Sequence, residues 1–293
     1  MPLTLTRSDN VPRLIRAAPI GICITNEAGI LEMVNPAFCE FYGYAEEELL
    51  GRSFALVVPE AEREAMLRRH RCFMQGDEEH DERQEWEVVG RDGETHSIIA
   101  ESSRLKDDAG RLKRVIFITD ITERKALERR LDFLARHDEL TGLLNRRAGM
   151  ARLGEEIARA RRQGSPLCVA IIDLDNFKQI NDRHGHATGD EVLCDVAARL
   201  GGELRDYDVL ARLGGEEFLV ILPGATQEQA HESLERLRTR IASASPGRSD
   251  LSVTLSAGIA ALRADEACHV LLERADRALY RAKQDGRNRT QAG

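Results

Sequence analysis

The residues of this 293-residue chain that point most clearly to chemistry are two glycines followed by two glutamates, Gly214-Gly215-Glu216-Glu217. Glycine takes positive φ at little steric cost, and the apolar runs on both sides of the motif predict that it closes a β-hairpin. Two carboxylates at a hairpin tip repel each other, and a bound divalent cation would balance them. A solvated acidic turn is the alternative, and a motif this short does not separate the two interpretations.

A further acidic residue follows the apolar run 167–172, which is short and rich in branched residues and therefore predicts a buried strand. Asp173 lies at the carboxyl end of that strand. A helical stretch at 189–204 separates the strand from the hairpin and can serve as a crossover between them. The crossover would bring Asp173 beside Glu216 and Glu217. Three carboxylates without His or Cys favour Mg²⁺ over zinc, so these residues predict phosphoryl or nucleotidyl transfer with two metals.

These acids belong to a series of short motifs that spans the C-terminal half of the chain. The motifs occupy residues 138–147, 173–178, 181–186, 189–190, 214–218 and 280–288. In type and order they resemble the GGDEF domain of the diguanylate cyclase family, which accepts either acid at the position of Glu216. The resemblance implies an α+β domain over residues 138–293, built on a ferredoxin-like palm with a βαββαβ core and additions.

The hydrophobic pattern of this half predicts alternating helices and strands that fit such a palm. Helices are expected at 148–162, 189–204, 226–244 and 268–283, and strands at 167–173, on both sides of the glycine pair and at 251–260. The first strand and the hairpin are the elements that must position the acidic residues.

The resemblance also implies a metal site. Asp173 and Glu217 match positions that bind the metals, helped by the backbone carbonyl of Leu174. Glu216 matches the catalytic position, where it would contact metal and assist deprotonation of the attacking hydroxyl. The cofactor implied by the family is Mg²⁺, with two ions per active site and Mn²⁺ as a substitute.

Asn181 and Asp190 match the residues that bind guanine in the family. A carboxylate can accept hydrogen bonds from the neighbouring N1–H and N2–H groups of guanine. Adenine has an acceptor at N1 and no 2-amino group, so we expect the site to reject it. His186 lies between the two residues and matches a substrate-contacting position, although an ordinary structural histidine is an equal alternative.

The remaining substrate contacts implied by the family concern the triphosphate of GTP. The backbone amides of Asn176 and Phe177 lie at a strand-to-helix turn, where they can bind phosphate oxygens. Lys178, Lys283 and Arg287 would supply positive charge to the triphosphate. Each of these cations, taken alone, would more often be a surface charge.

The reaction implied by the family joins two GTP molecules into cyclic di-GMP and releases pyrophosphate. Each domain holds one GTP, so the resemblance implies a homodimer in which two domains face each other. Arg205 and Asp208, with Arg212 nearby, match the family's RxxD site, at which the product inhibits the enzyme. A salt-bridged surface turn is the alternative for this site. The competing functions are an inactive domain that only binds GTP or cyclic di-GMP, and a cyclase of another nucleotide.

The N-terminal part carries a second set of motifs, at residues 35–38, 42–44, 50–52 and 120–122. Strands are predicted at 20–25, 30–34, 85–89, 96–103 and 114–119, which suits an antiparallel sheet. These features resemble a PAS sensor domain over residues 12–122. The sequence does not identify a ligand for this domain. Phe54 stands where light-sensing flavin PAS domains have a reactive cysteine, and His70 could bind haem, although a histidine in so charged a run is more often solvated.

Residues 123–137 are predicted to form a helical coiled-coil linker between the two domains. Leu127, Leu131 and Leu134 recur at alternating spacings of four and three residues, as in a coiled-coil seam. A single amphipathic helix packed on its own domain is the alternative. Residues 1–11 are expected to be a loose N-terminal tail.

Composition narrows the function classes further. The net charge of −8 argues against a general nucleic-acid or anionic-membrane binder. The six cysteines show no paired CxxC spacing, which indicates free thiols in a reducing compartment. No apolar run approaches the roughly 20 residues of a membrane helix, and the N-terminus lacks a signal-peptide pattern. We therefore expect a cytoplasmic protein without membrane or nucleic-acid partners.

Overall fold

The structure, a computed structural model, describes residues 11–76, 83–243 and 252–293. They fall into two compact units that divide between Arg129 and Arg130, within the helix Thr122–Arg136. The predicted linker contains this division, and the predicted N-terminal tail lies outside the described residues except for Val11. Among the residues with a described structure, no helix combines the length and the apolar character that crossing a membrane requires.

The first unit is built on a five-stranded sheet, which is antiparallel as the sequence predicted. Its strand order is β2-β1-β5-β4-β3. Its elements are α1 (Val11–Ala17), β1 (Gly21–Thr25), β2 (Leu31–Val34), α2 (Pro36–Tyr42), α3 (Glu46–Leu49), α4 (Arg63–Gln75), β3 (Arg83–Val89), β4 (Thr95–Lys106), β5 (Leu112–Asp120) and α5 (Thr122–Arg136). Short 3₁₀ turns at Phe54–Val57 and Glu60–Glu62 connect α3 to α4.

Asn35, the first residue of the motif at residues 35–38, links the start of α2 to β1 through hydrogen bonds. Its side-chain oxygen accepts from the N–H of Phe38 at 3.0 Å, which caps α2, and from the N–H of Ile22 at 2.8 Å. Its amide group donates to the carbonyl of Ile20 at 2.9 Å. Pro36 follows at the first helical position, where its missing N–H costs nothing. The motif therefore joins a helix start to the neighbouring strand.

His70 corrects one expectation. The charged run around it suggested a solvated side chain, but His70 is only 1% exposed. It shares the buried face of α4 with Phe73 and Met74, whereas Arg68 and Arg69 are exposed. Positions 70, 73 and 74 recur at helical spacing, so the helix turns its charges to solvent and this one polar ring inward.

The second unit consists of a five-stranded sheet covered by helices on both faces. Its elements are α6 (Arg146–Gln163), β6 (Leu167–Leu174), α7 (Phe177–His184), α8 (His186–Glu203), β7 (Val209–Gly214), β8 (Glu217–Pro223), α9 (Gln227–Ala242), β9 (Leu255–Ala261), α10 (Cys268–Gln284) and β10 (Thr290–Ala292). The strand order is β10-β9-β6-β8-β7. The antiparallel set β9-β6-β8-β7, with its two helical crossovers, is the predicted ferredoxin-like palm, and β10 extends it in parallel with β9.

Several element boundaries differ from the prediction. The helix expected at 189–204 begins at His186, and a separate helix, α7, precedes it. Gly185 separates the two with a φ of 85°, a conformation that suits glycine. The strand expected at 251–260 begins only at Leu255, and residue 251 lies outside the described residues. The helix α9 ends at Ala242, two residues before its predicted end at 244, which is not described.

Candidate active site

Strand pairing brings the predicted metal-binding acids side by side. The antiparallel register of β6 and β8 places Asp173 directly opposite Glu217. Side chains that face each other in this way have Cβ atoms about 4.5–5.5 Å apart. The N–H of Leu174 also donates to the carbonyl of Glu216 at 3.3 Å. The predicted juxtaposition of Asp173 with both glutamates is therefore confirmed.

Successive side chains of β6 point to opposite faces of the sheet. Every residue of β6 is buried. Val169 and Ile171 pack in the core formed with α6 and α10, whereas Ile172 and Leu174 pack in the core formed with α7, α8 and α9. Asp173 follows Val169 and Ile171 at the strand period of two, so its carboxylate belongs to the side covered by α10.

Lys283 of α10 meets Asp173 on that side. Its Nζ lies 2.8 Å from Oδ2 of Asp173. Burial raises the pKa of the Asp173 carboxyl above its ordinary value, the ion pair with Lys283 opposes this increase, and the negative charges of Glu216 and Glu217 add to it. Like charges directly opposite each other destabilise a sheet, so this corner of the domain requires a cation. In the structure the lysine supplies it.

The donor set at this corner suits a hard divalent cation. Asp173 and Glu217 lie on paired strands, and Glu216 lies in the hairpin turn. The adjacent groups of Leu174 are backbone groups rather than imidazole or thiol. Among the residues that the structure describes, no three His, Cys, Asp or Glu side chains converge into a complete metal cage. Mg²⁺ rarely needs one, because it keeps several waters and takes phosphate oxygens as ligands. The residues present therefore fit the predicted ion.

Arg212 braces the hairpin tip. Its Nε and Nη2 donate to the carbonyl of Gly215 at 3.0 and 2.7 Å, and its Nη1 donates to Oδ1 of Asp138 at 2.8 Å. Although burial alone would raise the pKa of Asp138, hydrogen bonds from Arg212 and Thr141 hold it below its ordinary value. The turn itself requires its glycines, since Gly214 and Gly215 adopt φ of 141° and 53°.

This arrangement changes the interpretation of Arg212, which was predicted to lie near the product site. Its three donor nitrogens already bind the hairpin and Asp138, and its side chain is only 11% exposed. It also stands four residues along the chain from Asp208, about 13 Å in an extended strand. In this structure Arg212 therefore supports the acidic hairpin, and its contribution to the product site stays a prediction.

Asp175 has a role that the sequence motifs did not predict. It is buried, and its carboxylate accepts from the hydroxyls of Thr254 and Ser256, both at 2.7 Å, and from the N–H of Asn288 at 3.0 Å. It thereby ties the end of β6 to the start of β9 and to the loop that carries Arg287. No local signal in the sequence reveals this role, because the partners of Asp175 lie 79 to 113 residues away along the chain.

Asn181 and Asp190 are brought together by the packing of α7 on α8. Gly189 lies so close to Asn181 that an added Cβ would sit 1.9 Å from its Oδ1, so any other residue there would displace the Asn181 side chain. That Oδ1 atom is buried and has no hydrogen-bond partner in the described part of the chain. Asp190 follows directly and is exposed. An unsatisfied buried acceptor is costly, and a donor from a ligand would satisfy it.

The predicted phosphate contacts lie at the start of α7 and after α10. Asn176 has a φ of 57° immediately before α7, a left-handed conformation that Asn tolerates better than most residues. The first amides of the helix, including that of Phe177, have no intrahelical partner. Lys178, His186 and Arg287 are exposed. Lys178 belongs to α7 and His186 to α8, so both stand on elements other than the acidic hairpin.

Arg205 and Asp208 form a tight turn before β7. The N–H of Arg205 donates to Oδ2 of Asp208 at 2.9 Å, and its Nη1 donates to the hydroxyl of Tyr207 at 2.8 Å. Burial raises the pKa of Asp208, which the N–H and the charge of Arg205 oppose. Arg205 and Tyr207 also line a surface pocket of about 290 Å³ together with Arg159 of α6. The pattern RxxD did not reveal Tyr207 or this pocket.

Comparison with known proteins identifies the second unit. The sequence model of the family described as "Diguanylate cyclase, GGDEF domain" matches residues 135–289, which is more than half of the chain. The chain belongs to the GGDEF family. The model described as "PAS fold" matches residues 9–121, so the GGDEF domain follows a PAS domain, as the motifs indicated.

Curated relatives of the chain include named cyclases. Over 155 residues it is 50% identical to diguanylate cyclase DgcP of Pseudomonas aeruginosa. The matched region covers 52% of this chain and 23% of DgcP. Over 289 residues it is 35% identical to an uncharacterized signaling protein of Caulobacter vibrioides, covering 95% of this chain and 34% of the relative. The chain thus spans about a quarter to a third of the length of these relatives.

Solved structures of GGDEF domains resemble the second unit. One is the crystal structure of the coiled coil and GGDEF domain of DgcB from Caulobacter crescentus in complex with c-di-GMP. It is 36% identical to this chain with a TM-score of 0.55, and the match covers 58% of this chain and 92% of the DgcB chain. The GGDEF domain of DgcB with c-di-GMP is 39% identical with a TM-score of 0.52, covering 54% and 93%.

Proposed function

We propose that the chain is a diguanylate cyclase that condenses two GTP molecules into cyclic di-GMP and releases two pyrophosphates. The observation that carries the proposal is the register that sets Asp173 opposite Glu217 at the tip of a GGDEF hairpin. Inactive members of the family typically lose the signature acids, whereas Asp173, Glu216 and Glu217 are all present here. Relatives that bear the name diguanylate cyclase favour the same activity.

In this proposal Asp173, Glu217 and the carbonyl of Leu174 hold the metals, with Glu216 in contact with them. When bound there, two Mg²⁺ ions, or Mn²⁺ in their place, would stabilise charge at the phosphates and acidify the attacking hydroxyl. Glu216 lies in the turn braced by Arg212, where it accepts the proton of the 3′-hydroxyl. Lys283, which pairs with Asp173 in the structure, exchanges that carboxylate for a phosphate oxygen of GTP.

The other substrate contacts place the α-phosphorus for attack. The amides of Asn176 and Phe177 bind phosphate oxygens at the start of α7, and Lys178 and Arg287 neutralise the triphosphate. Asp175 holds the loop of Arg287 through the N–H of Asn288. The attacking hydroxyl belongs to the GTP of a second domain, so most of the rate enhancement comes from positioning two bound substrates.

Base selectivity provides the test of this function. The purified chain with Mg²⁺ should convert GTP, and not ATP, into a cyclic dinucleotide, because Asn181 and Asp190 complement the guanine edge. Asp190→Asn should lower kcat/KM for GTP by about 10- to 100-fold, the value of a hydrogen bond to a charged group. Glu191→Gln, on the next exposed position, should leave it unchanged. Chromatography of the products measures both; GTP binding without any dinucleotide would instead identify a receptor.

Product inhibition is expected at the turn of Arg205 and Asp208. Arg205 can donate two parallel bonds to a phosphate or a guanine edge, and it lines a pocket of about 290 Å³ together with Tyr207. Arg205→Ala should therefore raise the cyclic di-GMP concentration for half inhibition by about tenfold or more. Arg277→Ala, an exposed arginine on α10, serves as the control. Identical inhibition curves for the wild type and Arg205→Ala would contradict the assignment of a product site to this turn.

The linker helix favours a homodimer. Leu127 and Leu131 are 57% and 66% exposed, and α5 has no buried residue among its 15. A helix packed on its own domain would bury these leucines, so their exposure argues against that alternative. We propose that they pair with the same helix of a second copy and that the PAS domain regulates synthesis by altering this pairing. The solved relative that includes a coiled coil before its GGDEF domain has the same order of parts.

A further inference from the structure

The loop between α10 and β10 has a backbone conformation that its sequence does not favour. Gly286, Arg287 and Asn288 follow one another with φ of 113°, 63° and 45°. Glycine adopts such values freely and asparagine tolerates them, but arginine is disfavoured there because its Cβ approaches the next carbonyl oxygen. Strained backbone of this kind persists only where the surrounding structure holds it, and it is typical of functional sites. Contacts from outside the loop must therefore hold Arg287 in this conformation.

Asp175 supplies the contact that reaches the loop from the sheet. Its carboxylate belongs to a residue only 5% exposed, and its Oδ2 accepts from the N–H of Asn288 at 3.0 Å. The same oxygen accepts from the hydroxyl of Thr254 at 2.7 Å, and Oδ1 accepts from the hydroxyl of Ser256 at 2.7 Å. The N–H of Asp175 also donates to the carbonyl of Thr254 at 2.9 Å. The carboxylate is thus fixed at the sheet, and its bond to Asn288 fastens the loop to that point.

Arg238 of α9 holds Asn288 through its side chain. Its Nη1 donates to Oδ1 of Asn288 at 2.8 Å, and its Nη2 donates to Oε2 of Glu235 at 2.8 Å. Oε1 of Glu235 also accepts from the N–H of Thr290, the first residue of β10, at 3.1 Å. Asn288 is therefore bound through its backbone to the end of β6 and through its side chain to α9.

The remaining contacts of the loop involve its backbone and leave the guanidinium of Arg287 unoccupied. The N–H of Arg287 donates to the carbonyl of Ala282 at 3.0 Å, and its carbonyl accepts from Nε of Arg289 at 3.1 Å. The carbonyl of Arg289 accepts from the N–H of Ala257 at 3.0 Å. Within the part of the chain that the structure describes, the exposed side chain of Arg287 has no hydrogen-bond or ion-pair partner. The loop is thus held in place while its arginine stays available to an anion.

We propose that Asp175 and Arg238 are positioning residues for the triphosphate of GTP. They hold the loop in the left-handed conformation that presents Arg287, so a bound phosphate does not have to order it. The loop begins beside the acidic corner, since Lys283 near the end of α10 contacts Asp173. Asp175 and Arg238 should therefore set the affinity for the triphosphate and not for the guanine, whose predicted contacts lie on α7 and α8. The inference rests on the proposed function, because it assigns Arg287 to the nucleotide.

The test separates the triphosphate from the guanine with two ligands on the full chain. With Mg²⁺ present, 3′-deoxy-GTP cannot condense because it lacks the attacking hydroxyl, and GMP keeps the base without the β- and γ-phosphates. Calorimetry measures the binding of 3′-deoxy-GTP, and competition against it measures GMP. Asp175→Ala should weaken 3′-deoxy-GTP binding by about tenfold or more, the value of a hydrogen bond to a charged group, and leave GMP within about twofold. Equal losses for the two ligands would indicate a merely structural role and overturn the proposal.

A double-mutant cycle shows whether Asp175 acts through Arg287. Arg287→Met alone should weaken 3′-deoxy-GTP binding by about tenfold or more, because it removes the phosphate contact itself. Asp175→Ala should then cause no further loss beyond about twofold in the Arg287→Met background, since the two changes remove the same interaction. A full additional loss in that background would contradict the proposal.

Three further variants make the test independent of whether Asp175→Ala folds. Asp175→Asn retains an oxygen for the N–H of Asn288 and should restore most of the lost affinity. Arg238→Met leaves Asp175 in place and should weaken the binding of 3′-deoxy-GTP alone, by about two- to tenfold. Arg277→Met, an exposed arginine on α10, should bind both ligands like the wild type.

Two results with these variants would overturn the inference and leave the proposed function standing. One is wild-type affinity of Arg238→Met for 3′-deoxy-GTP, and the other is an Asp175→Asn variant that binds no better than Asp175→Ala. A wild-type protein that binds neither 3′-deoxy-GTP nor GMP would instead refute the proposed function, and this inference with it.

Discussion

Asp173→Asn should abolish the synthesis of cyclic di-GMP, with a loss of at least about 10²- to 10³-fold in kcat, because the amide cannot neutralise a divalent cation. Glu217→Gln, on the opposite strand, should have an effect of the same size. Neither change alters side-chain volume, and each removes one of two like charges that face each other across the sheet. We therefore expect the domain to stay folded in both variants.

The matched control is Asp182→Asn, which removes an exposed carboxylate from α7. Its activity should stay within about twofold of the wild type, as for most surface substitutions. Removal of divalent cations with EDTA should stop the wild-type reaction, and added Mg²⁺ should restore it. Full activity of Asp173→Asn or Glu217→Gln in a folded protein would contradict the role assigned to this pair.

Replacing Leu127 and Leu131 together with glutamine should dissociate the dimer and stop product formation. Each leucine that pairs with a second copy buries apolar surface worth about 1.5–3 kcal/mol, so the double change removes most of a short seam. Because each GGDEF domain holds one GTP, the monomer should still bind GTP and fail to join two. Sedimentation, GTP titration and the product assay measure these three results on one sample.

The control for this experiment lies on the same helix. Arg129→Gln with Asp132→Asn changes two exposed residues away from the leucine stripe, and the protein should remain dimeric and active. Inserting one residue into the linker rotates the downstream GGDEF domain by about 100° and should alter the rate without dissociating the dimer. A double leucine variant that stays dimeric and fully active would show that the helix is a passive tether.

Much of the fold follows from local patterns in the sequence. The apolar run before Asp173 is a buried strand, the glycine pair closes a hairpin, and the strand order of the palm is the one implied by the motifs. Helix α7 was missed because its sequence has only two buried apolar residues, Phe177 and Ile180, too few to show a helical period. Its helical state depends on packing against α8.

The polar contacts of the site could not be predicted in the same way. Arg212 and Asp138 are 74 residues apart in sequence, and Asp175 and Ser256 are 81 apart. Nothing local distinguishes such charges from surface charges, and only the fold decides which of them meet. The pairing of Lys283 with Asp173 illustrates this, since the family motif assigned that lysine to the triphosphate alone.

The product balance of a single reaction tests the proposed function most directly. The purified chain is incubated with Mg²⁺ and GTP, and the consumed GTP, the pyrophosphate and the cyclic dinucleotide are measured in the same samples. We predict one cyclic di-GMP and two pyrophosphates for every two GTP consumed, with no turnover in EDTA. Release of GDP and phosphate, or binding of GTP without any dinucleotide, would contradict the assignment as a diguanylate cyclase.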